Sequence, residues 1–258
     1  MTFPNLKRKH SKDSMFSPKD YLAYAKSLGQ HPKFKPPKCA ILCYERSLIE
    51  HILNHHKVIK VEGFRADTYL LDETNRQVAL IGNFGIGAPV AVTHTEELIA
   101  FGVKKFISIG TAGTLQKDLS VGDIVICDRA IRDEGTSYHY LKPSKYAYAS
   151  KGMTKRLMRT LGEKGQEYSI GTSWTIDAPY RETVEEARRY QKEGVATVEM
   201  EAAALFAVGQ YRKVDVGAIF TISDSLAELE WKPRFHLIKD PKTFEILYQA
   251  VLGALLSK

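Results

Sequence analysis

Phe106-Ile107-Ser108-Ile109-Gly110-Thr111-Ala112-Gly113 is a short apolar run that ends in two glycines around a threonine and an alanine. Its length and β-branched content predict a buried strand. The glycines at its end mark where backbone N–H groups can approach an anion or a sugar hydroxyl, with the Thr111 hydroxyl beside them. A second strand follows at Val121-Gly122-Asp123-Ile124-Val125. Working outward, apolar runs of the same kind recur at 39–44, 78–82, 169–173, 196–200 and 216–222, with shorter candidates near Val58 and Thr68. Segments 89–101, 151–164, 183–192, 202–211 and 241–256 carry the 3.6-residue apolar spacing of helices that cover a sheet. The alternation predicts an α/β domain with a twisted, mostly parallel central sheet flanked by helices and with chemistry at strand ends.

The 258 residues, 44% hydrophobic and 26% charged, suit one sizeable domain rather than two. Residues 1–38 hold nine Lys or Arg against two Asp, which accounts for the whole net charge of +7 and leaves a neutral body. We read 1–38 as a solvated basic arm with a short helix at 18–28, and 39–258 as the domain. A basic arm raises nucleic-acid binding as an alternative, but no DNA- or RNA-binding motif accompanies it, so no specific nucleic-acid partner is expected. Cys39, Cys43 and Cys127 form no CxxC pair and sit in apolar runs, so they are expected to be buried thiols of a protein in a reducing cytoplasm. No apolar stretch reaches the length of a membrane span, and no membrane partner is expected.

Three further segments combine residue types that carry chemistry. Gly85-Ile86-Gly87-Ala88-Pro89 follows a strand and opens a helix, but it lacks the third glycine of a dinucleotide fingerprint. Val198-Glu199-Met200-Glu201-Ala202-Ala203 sets two carboxylates in an apolar context, where an unpartnered charge is costly. Thr221-Ile222-Ser223-Asp224 ends an apolar strand with an acid. Each has a bland alternative: a tight turn, an exposed helix N-terminus, or a helix cap.

In this order the segments resemble the nucleoside phosphorylase family, which includes purine-cleaving, uridine-cleaving and nucleosidase branches. The resemblance runs from about Cys39 to the last helix and implies a single-domain α/β nucleoside phosphorylase fold. By it, Glu201 grips the ribose hydroxyls with Met200 and Glu199 beside it. Gly110 and Thr111, with Arg65, Arg46 and Ser108, surround phosphate. Ala112, Gly113, Pro179, Tyr180 and Ser223 surround the base, and Asp224 is the catalytic acid that assists departure of a purine. Phosphate is then a co-substrate, no metal or organic cofactor is needed, and the products are free base and ribose 1-phosphate, in a salvage role. Arg65 matches an arginine that reaches a neighbouring subunit's phosphate, which implies a homo-oligomer, a dimer or a trimer of dimers.

The sequence departs from the family in two places. Ser108 stands where relatives carry an arginine, and the first loop departs as well: Cys43-Tyr44-Glu45-Arg46-Ser47-Leu48 places Tyr44 at a glycine and Leu48 at an arginine. Arg129 or Arg132 is a candidate replacement cation. Depleted arginines keep a nucleosidase, and an idle nucleoside-binding protein, open as alternatives. In the 177–183 segment Pro179 replaces the aromatic of uridine-cleaving relatives, and Thr183 and Glu185 replace their Gln and Arg. That favours purines over uridine and leaves Tyr180 or Trp174 as stacking candidates.

Overall fold

The computed structural model describes residue 6, residues 8–238 and residues 240–257. Of the expected basic arm, residues 1–5 and 7 therefore lie outside the described residues. The strands are β1 (Cys39–Cys43), β2 (Val58–Val61), β3 (Asp67–Leu71), β4 (Val78–Gly82), β5 (Lys105–Thr114), β6 (Ile124–Asp133), β7 (Tyr146–Tyr148), β8 (Ser169–Ile176), β9 (Thr197–Glu199), β10 (Asp215–Ser225) and β11 (Lys232–Pro233). The α-helices are α1 (Pro18–Ser27), α2 (Arg46–His55), α3 (Ala88–Phe101), α4 (Lys151–Glu163), α5 (Val184–Lys192), α6 (Ala202–Arg212) and α7 (Pro241–Leu256).

Every residue of β1 and β4 is buried, as expected of central strands covered on both faces. The sheet runs in the order β11-β10-β6-β8-β9-β5-β1-β4-β3-β2, with β7 beside β6. A further pairing of β10 with β5 closes β5, β10, β6, β8 and β9 into a ring. The α/β class and the central sheet expected from sequence are thus present, with antiparallel pairings alongside the parallel ones. β4, β1, β5 and β10 run parallel, as do β6, β8 and β9, whereas β10 with β6, β9 with β5, and the edges pair antiparallel.

Helices cover both faces. Residues Ala202–Gly209 of α6 are all buried, which suits a helix that is apolar all round, and α6 packs with α3 on one side. On the other side α2, α4 and α7 form a second core with Leu48, Ile52, Leu157, Leu247 and Val251. The sequence reading took the start of α2 for a loop. Its Glu45 caps the helix by accepting from the Ser47 N–H at 3.0 Å, and Leu48, Ile49 and Ile52 supply the apolar face. The basic segment is not wholly a free arm either: α1 packs on α3, and Phe34 makes edge contacts with Phe64 and Phe101.

One charged pair joins the two buried helices. Arg212 of α6 donates from Nε at 2.7 Å and from Nη2 at 2.8 Å to the buried Glu96 of α3. Removing the cation strands a carboxylate in the core. Arg212→Ala should lower the unfolding free energy by roughly 2 to 3 kcal/mol, less than a wholly buried pair because the arginine partly meets solvent. The double variant with Glu96→Leu should recover part of that loss. Urea denaturation measures both, and an Arg212→Ala protein as stable as the parent would show that Glu96 finds other compensation.

Candidate active site

A cavity of about 610 Å³ opens at the carboxyl ends of the parallel strands β1, β5 and β10, where open α/β sheets hold ligands. Two acidic arrangements define it.

The first begins in β8. Thr175 Oγ1 donates to Glu199 Oε1 at 2.5 Å and Ser173 Oγ donates to the same oxygen at 3.1 Å. Glu199 Oε2 accepts from the backbone N–H groups of Glu201 and Ala202 at 2.8 and 2.7 Å. These are two of the N–H groups that a helix start leaves without partners. Glu199, expected among the ribose contacts, therefore spends both oxygens inside the protein and acts by anchoring α6. Glu201 is 7% exposed and lies on the cavity. Its Oε1 accepts from the Gly87 N–H at 2.5 Å, and the Met200 backbone also lies against the carboxylate. Gly87 holds a φ of 101°, a conformation that suits glycine, at the N-cap of α3. Burial, and then the charge of Glu199, raises the Glu201 pKa, and burial also raises that of Glu199. The exposed helix terminus considered from sequence is not what forms here.

The second arrangement ends β10. The pairing of β10 with β5 slips by one residue between Ile222 and Asp224, a bulge that re-aims the chain at Ser223. Asp224 Oδ1 accepts from Ser223 Oγ at 2.7 Å, and Oδ2 accepts from Trp231 Nε1 at 3.0 Å. Asp224 lies within a strand and caps no helix. Opposite it, Gly113 leaves room that a side chain would fill: a Cβ there would sit 2.9 Å from Asp224 Oδ2. Glu182 also lines the cavity, and burial, followed by the Asp224 charge, pushes its pKa up to about 7.

Gly110, Thr111, Ala112, Gly113, Pro179, Tyr180, Met200 and Ser223 join these acids on the cavity wall. The segment 110–113 is part of β5 rather than a turn. Three expected phosphate residues do not reach the cavity. Arg46 is exposed and pairs with Glu50 at 2.8 Å. Arg65 lies in a separate depression, where its Nε donates to the Tyr21 hydroxyl at 3.3 Å. Ser108 is 1% exposed, sealed within β5.

The replacement cations are engaged elsewhere as well. Arg132 is buried and donates to Ser137 Oγ, Ser144 Oγ and the Lys142 carbonyl, while Arg129 donates to Thr172 Oγ1. Trp174 is fully buried and donates to Asp133, so it does not stack in the cavity. Tyr180 stands at the rim and is almost wholly exposed.

Sequence reasoning missed Trp231, Glu182 and the position of Tyr44. The Tyr44 ring lies 3.2 Å from where a Gly110 Cβ would be and makes an edge contact with Phe84 at 5.1 Å. Its hydroxyl is buried and finds no partner at hydrogen-bond geometry among the described residues, although the Ser108 side chain lies close. Burial and the Glu201 charge push this phenol well above its ordinary pKa. Among the described residues the cavity is lined by five carboxylates and by no Lys or Arg. None of those carboxylates belongs to a cluster of three metal-donor side chains. The arrangement offers a hydroxyl acceptor at one end and a hydrogen-bonded aspartate at the other, with apolar and glycine surface between them.

Comparison with known proteins agrees with this architecture. A family model described as "Phosphorylase superfamily" matches residues 41–258. A guanosine phosphorylase of Halorubrum lacusprofundi is 34% identical over 142 residues, covering 55% of this chain and 59% of that protein. A purine nucleoside phosphorylase DeoD-type of Caldanaerobacter subterraneus subsp. tengcongensis is 38% identical over 144 residues, covering 55% and 62%. The matched segments thus span less than two thirds of either relative. The crystal structure of purine nucleoside phosphorylase from Toxoplasma gondii in complex with immucillin-H superimposes with a TM-score of 0.73 over 86% of this chain and 91% of that one, at 21% identity, a likeness of fold.

The raised pKa of Glu182 has a consequence for stability. The folded protein keeps a proton on this group from its ordinary value of 4.5 up to about 7, where the unfolded chain has released it. Stability from this group is therefore present below the unfolded value and is lost as pH rises through the folded one. Glu182→Gln should flatten the fall in unfolding free energy across that window, measured by denaturant titration at several pH values. Parallel pH profiles for parent and variant would place the Glu182 pKa at its ordinary value.

Proposed function

The chain belongs to the phosphorylase superfamily, whose model matches it from residue 41 to its end, and from that membership we propose that it cleaves the N-glycosidic bond of a purine nucleoside with phosphate, giving free base and ribose 1-phosphate. The observation that carries this reading is the convergence of Glu201 and Asp224 on one cavity, each with a defined hydrogen-bond setting. In the proposed reaction the Glu201 carboxylate accepts from ribose hydroxyls, and Met200 packs against the sugar. Asp224 passes a proton or hydrogen bond to the purine, so that the base leaves without negative charge from a cavity already rich in carboxylates. Ala112, Gly113, Pro179, Tyr180 and Ser223 form the base surface, and Gly110 and Thr111 face the anion. The glycosidic bond breaks through an oxocarbenium-like state and phosphate attacks the anomeric carbon. No metal or organic cofactor enters the scheme. Free, buried Cys39, Cys43 and Cys127 support a reducing, cytoplasmic setting.

Phosphate needs cations, and among the described residues none lines the chain's own cavity. The reading assigns this part to Arg65 of a neighbouring copy, so the working unit is a homo-oligomer of at least two chains. A second reading, hydrolysis by water, rests on the Tyr44 ring packed against Gly110. Assaying base release from a purine nucleoside with and without phosphate separates the two: phosphorolysis yields ribose 1-phosphate only when phosphate is present, and hydrolysis yields ribose in both.

Asp224→Asn should lower turnover by at least about a hundredfold with little loss of fold, as removal of a general acid does. Unchanged turnover would remove Asp224 from the chemistry.

A further inference from the structure

Away from the cavity, the C-terminal end of α2 meets α7 in a cluster of donor atoms. Glu245 Oε2 lies 3.1 Å from His51 Nε2 and 2.9 Å from His56 Nε2. The three donor atoms all fall within 4.8 Å of one another. The two imidazole side chains are about nine-tenths buried, and Glu245 is partly open to solvent. The other nitrogen of His56, Nδ1, faces Glu73 at 3.3 Å, and Glu73 in turn accepts from the Tyr248 hydroxyl. Gln249 Nε2 donates to the remaining oxygen of Glu245 at 3.0 Å.

The donor count of His56 is the informative point. A neutral imidazole carries one N–H, yet both ring nitrogens of His56 face carboxylate oxygens. With the proton on Nδ1, the first contact is a donation to Glu73. The other needs a second positive centre at Nε2, either a proton or a metal ion. Two imidazoles and one carboxylate converging on a point, with a second carboxylate fixing the tautomer of a ligand histidine from behind, is the donor chemistry of a zinc-class ion. A tetrahedral site with bonds of 2.0–2.1 Å spaces its donors by about 3.4 Å, so the two distances from Glu245 to the imidazoles, 3.1 and 2.9 Å, need to open only slightly. The exposed side of Glu245 leaves an entry path and a fourth position for water. Nitrogen donors disfavour calcium and magnesium.

We propose that His51, His56 and Glu245 form a binding site for a divalent transition-metal ion of the zinc class, with Glu73 orienting His56, and that the ion ties α2 to α7. The site is separate from the cavity and from its reaction.

The test uses the full chain, stripped with EDTA and titrated with Zn²⁺ by calorimetry, with Co²⁺ as a spectroscopic probe. One ion should bind per chain with tetrahedral Co²⁺ bands and a raised melting temperature, and Mg²⁺ should do neither. His51→Gln and Glu245→Gln should each weaken binding by about a hundredfold, and Glu73→Gln by about tenfold or more. His55→Gln should leave it unchanged, because His55 Nδ1 bonds the His51 carbonyl outside the donor set. Circular dichroism of each stripped variant establishes that it is folded. Absence of one-to-one binding by the parent, or equal affinity in folded His51→Gln and Glu245→Gln proteins, would overturn the assignment and leave the cluster a proton-held clasp.

Discussion

The site depends on the satisfaction of one buried carboxylate. Glu199 ends β9, a strand buried at every residue, and is 7% exposed, where an unpaired charge would cost several kcal/mol. Four donors from two elements remove that cost: two hydroxyls of β8 and two backbone N–H groups at the start of α6. Because those N–H groups have no partner within the helix, one side chain fixes where β9 stops and α6 begins. It thereby fixes Glu201, which stands between them and reaches across to the Gly87 N–H at the start of α3. The sugar end of the cavity is thus assembled from segments far apart in sequence, each held by the bond that satisfies the next.

The same geometry gathers negative charge. Among the described residues five carboxylates line the cavity without a Lys or Arg beside them; burial raises the pKa values of Glu182, Glu199 and Glu201, and neighbouring carboxylates add to the shift at Glu182 and Glu201. In the proposed reaction such a cavity favours a base that leaves with a proton and disfavours a dianion unless cations arrive from outside. Arg65 is suited to supply them, being on the chain's surface beside Tyr21, with its guanidinium 5.1 Å from the ring centroid. Tyr44 narrows the space beside Gly110 that such an anion would use.

Much of this was legible in the residues because the signals were local. Continuous apolar runs marked β1, β4, β5 and β10, and Glu201 and Asp224 stood out as acids at the ends of such runs. The closure of the sheet was not legible: the antiparallel pairings of β9 with β5 and of β10 with β6 come from ring formation, which an apolar run does not encode. Nor could periodicity tell which tryptophan meets the cavity. Trp174 points into the core because the register of β8 against β6 turns it inward, whereas Trp231 lies in an irregular segment with no period to read. The helix α2 was missed because its cap, Glu45, fell inside a segment read as a departing loop. Arg129 and Arg132 resembled free cations only while their hydroxyl and carbonyl acceptors, brought in by folding, were out of view.

Ring closure also explains why the two acidic arrangements face one another at a fixed separation. β5 pairs with β9 on one side and with β10 on the other, and Gly113 is opposite Val198 in the first pairing and Asp224 in the second. A Cβ at Gly113 would lie 3.2 Å from the Val198 side chain and 2.9 Å from the Asp224 carboxylate, closer than packed atoms tolerate. The absent side chain therefore lets two neighbouring strands close on β5 together. Glu201 follows β9 and Asp224 belongs to β10, so the position of each acid is set against the same residue of β5. The glycines after Ile109, read first as a turn near an anion, thus serve as the spacer that sets the width of the cavity, and the ligand surface they offer comes from that role.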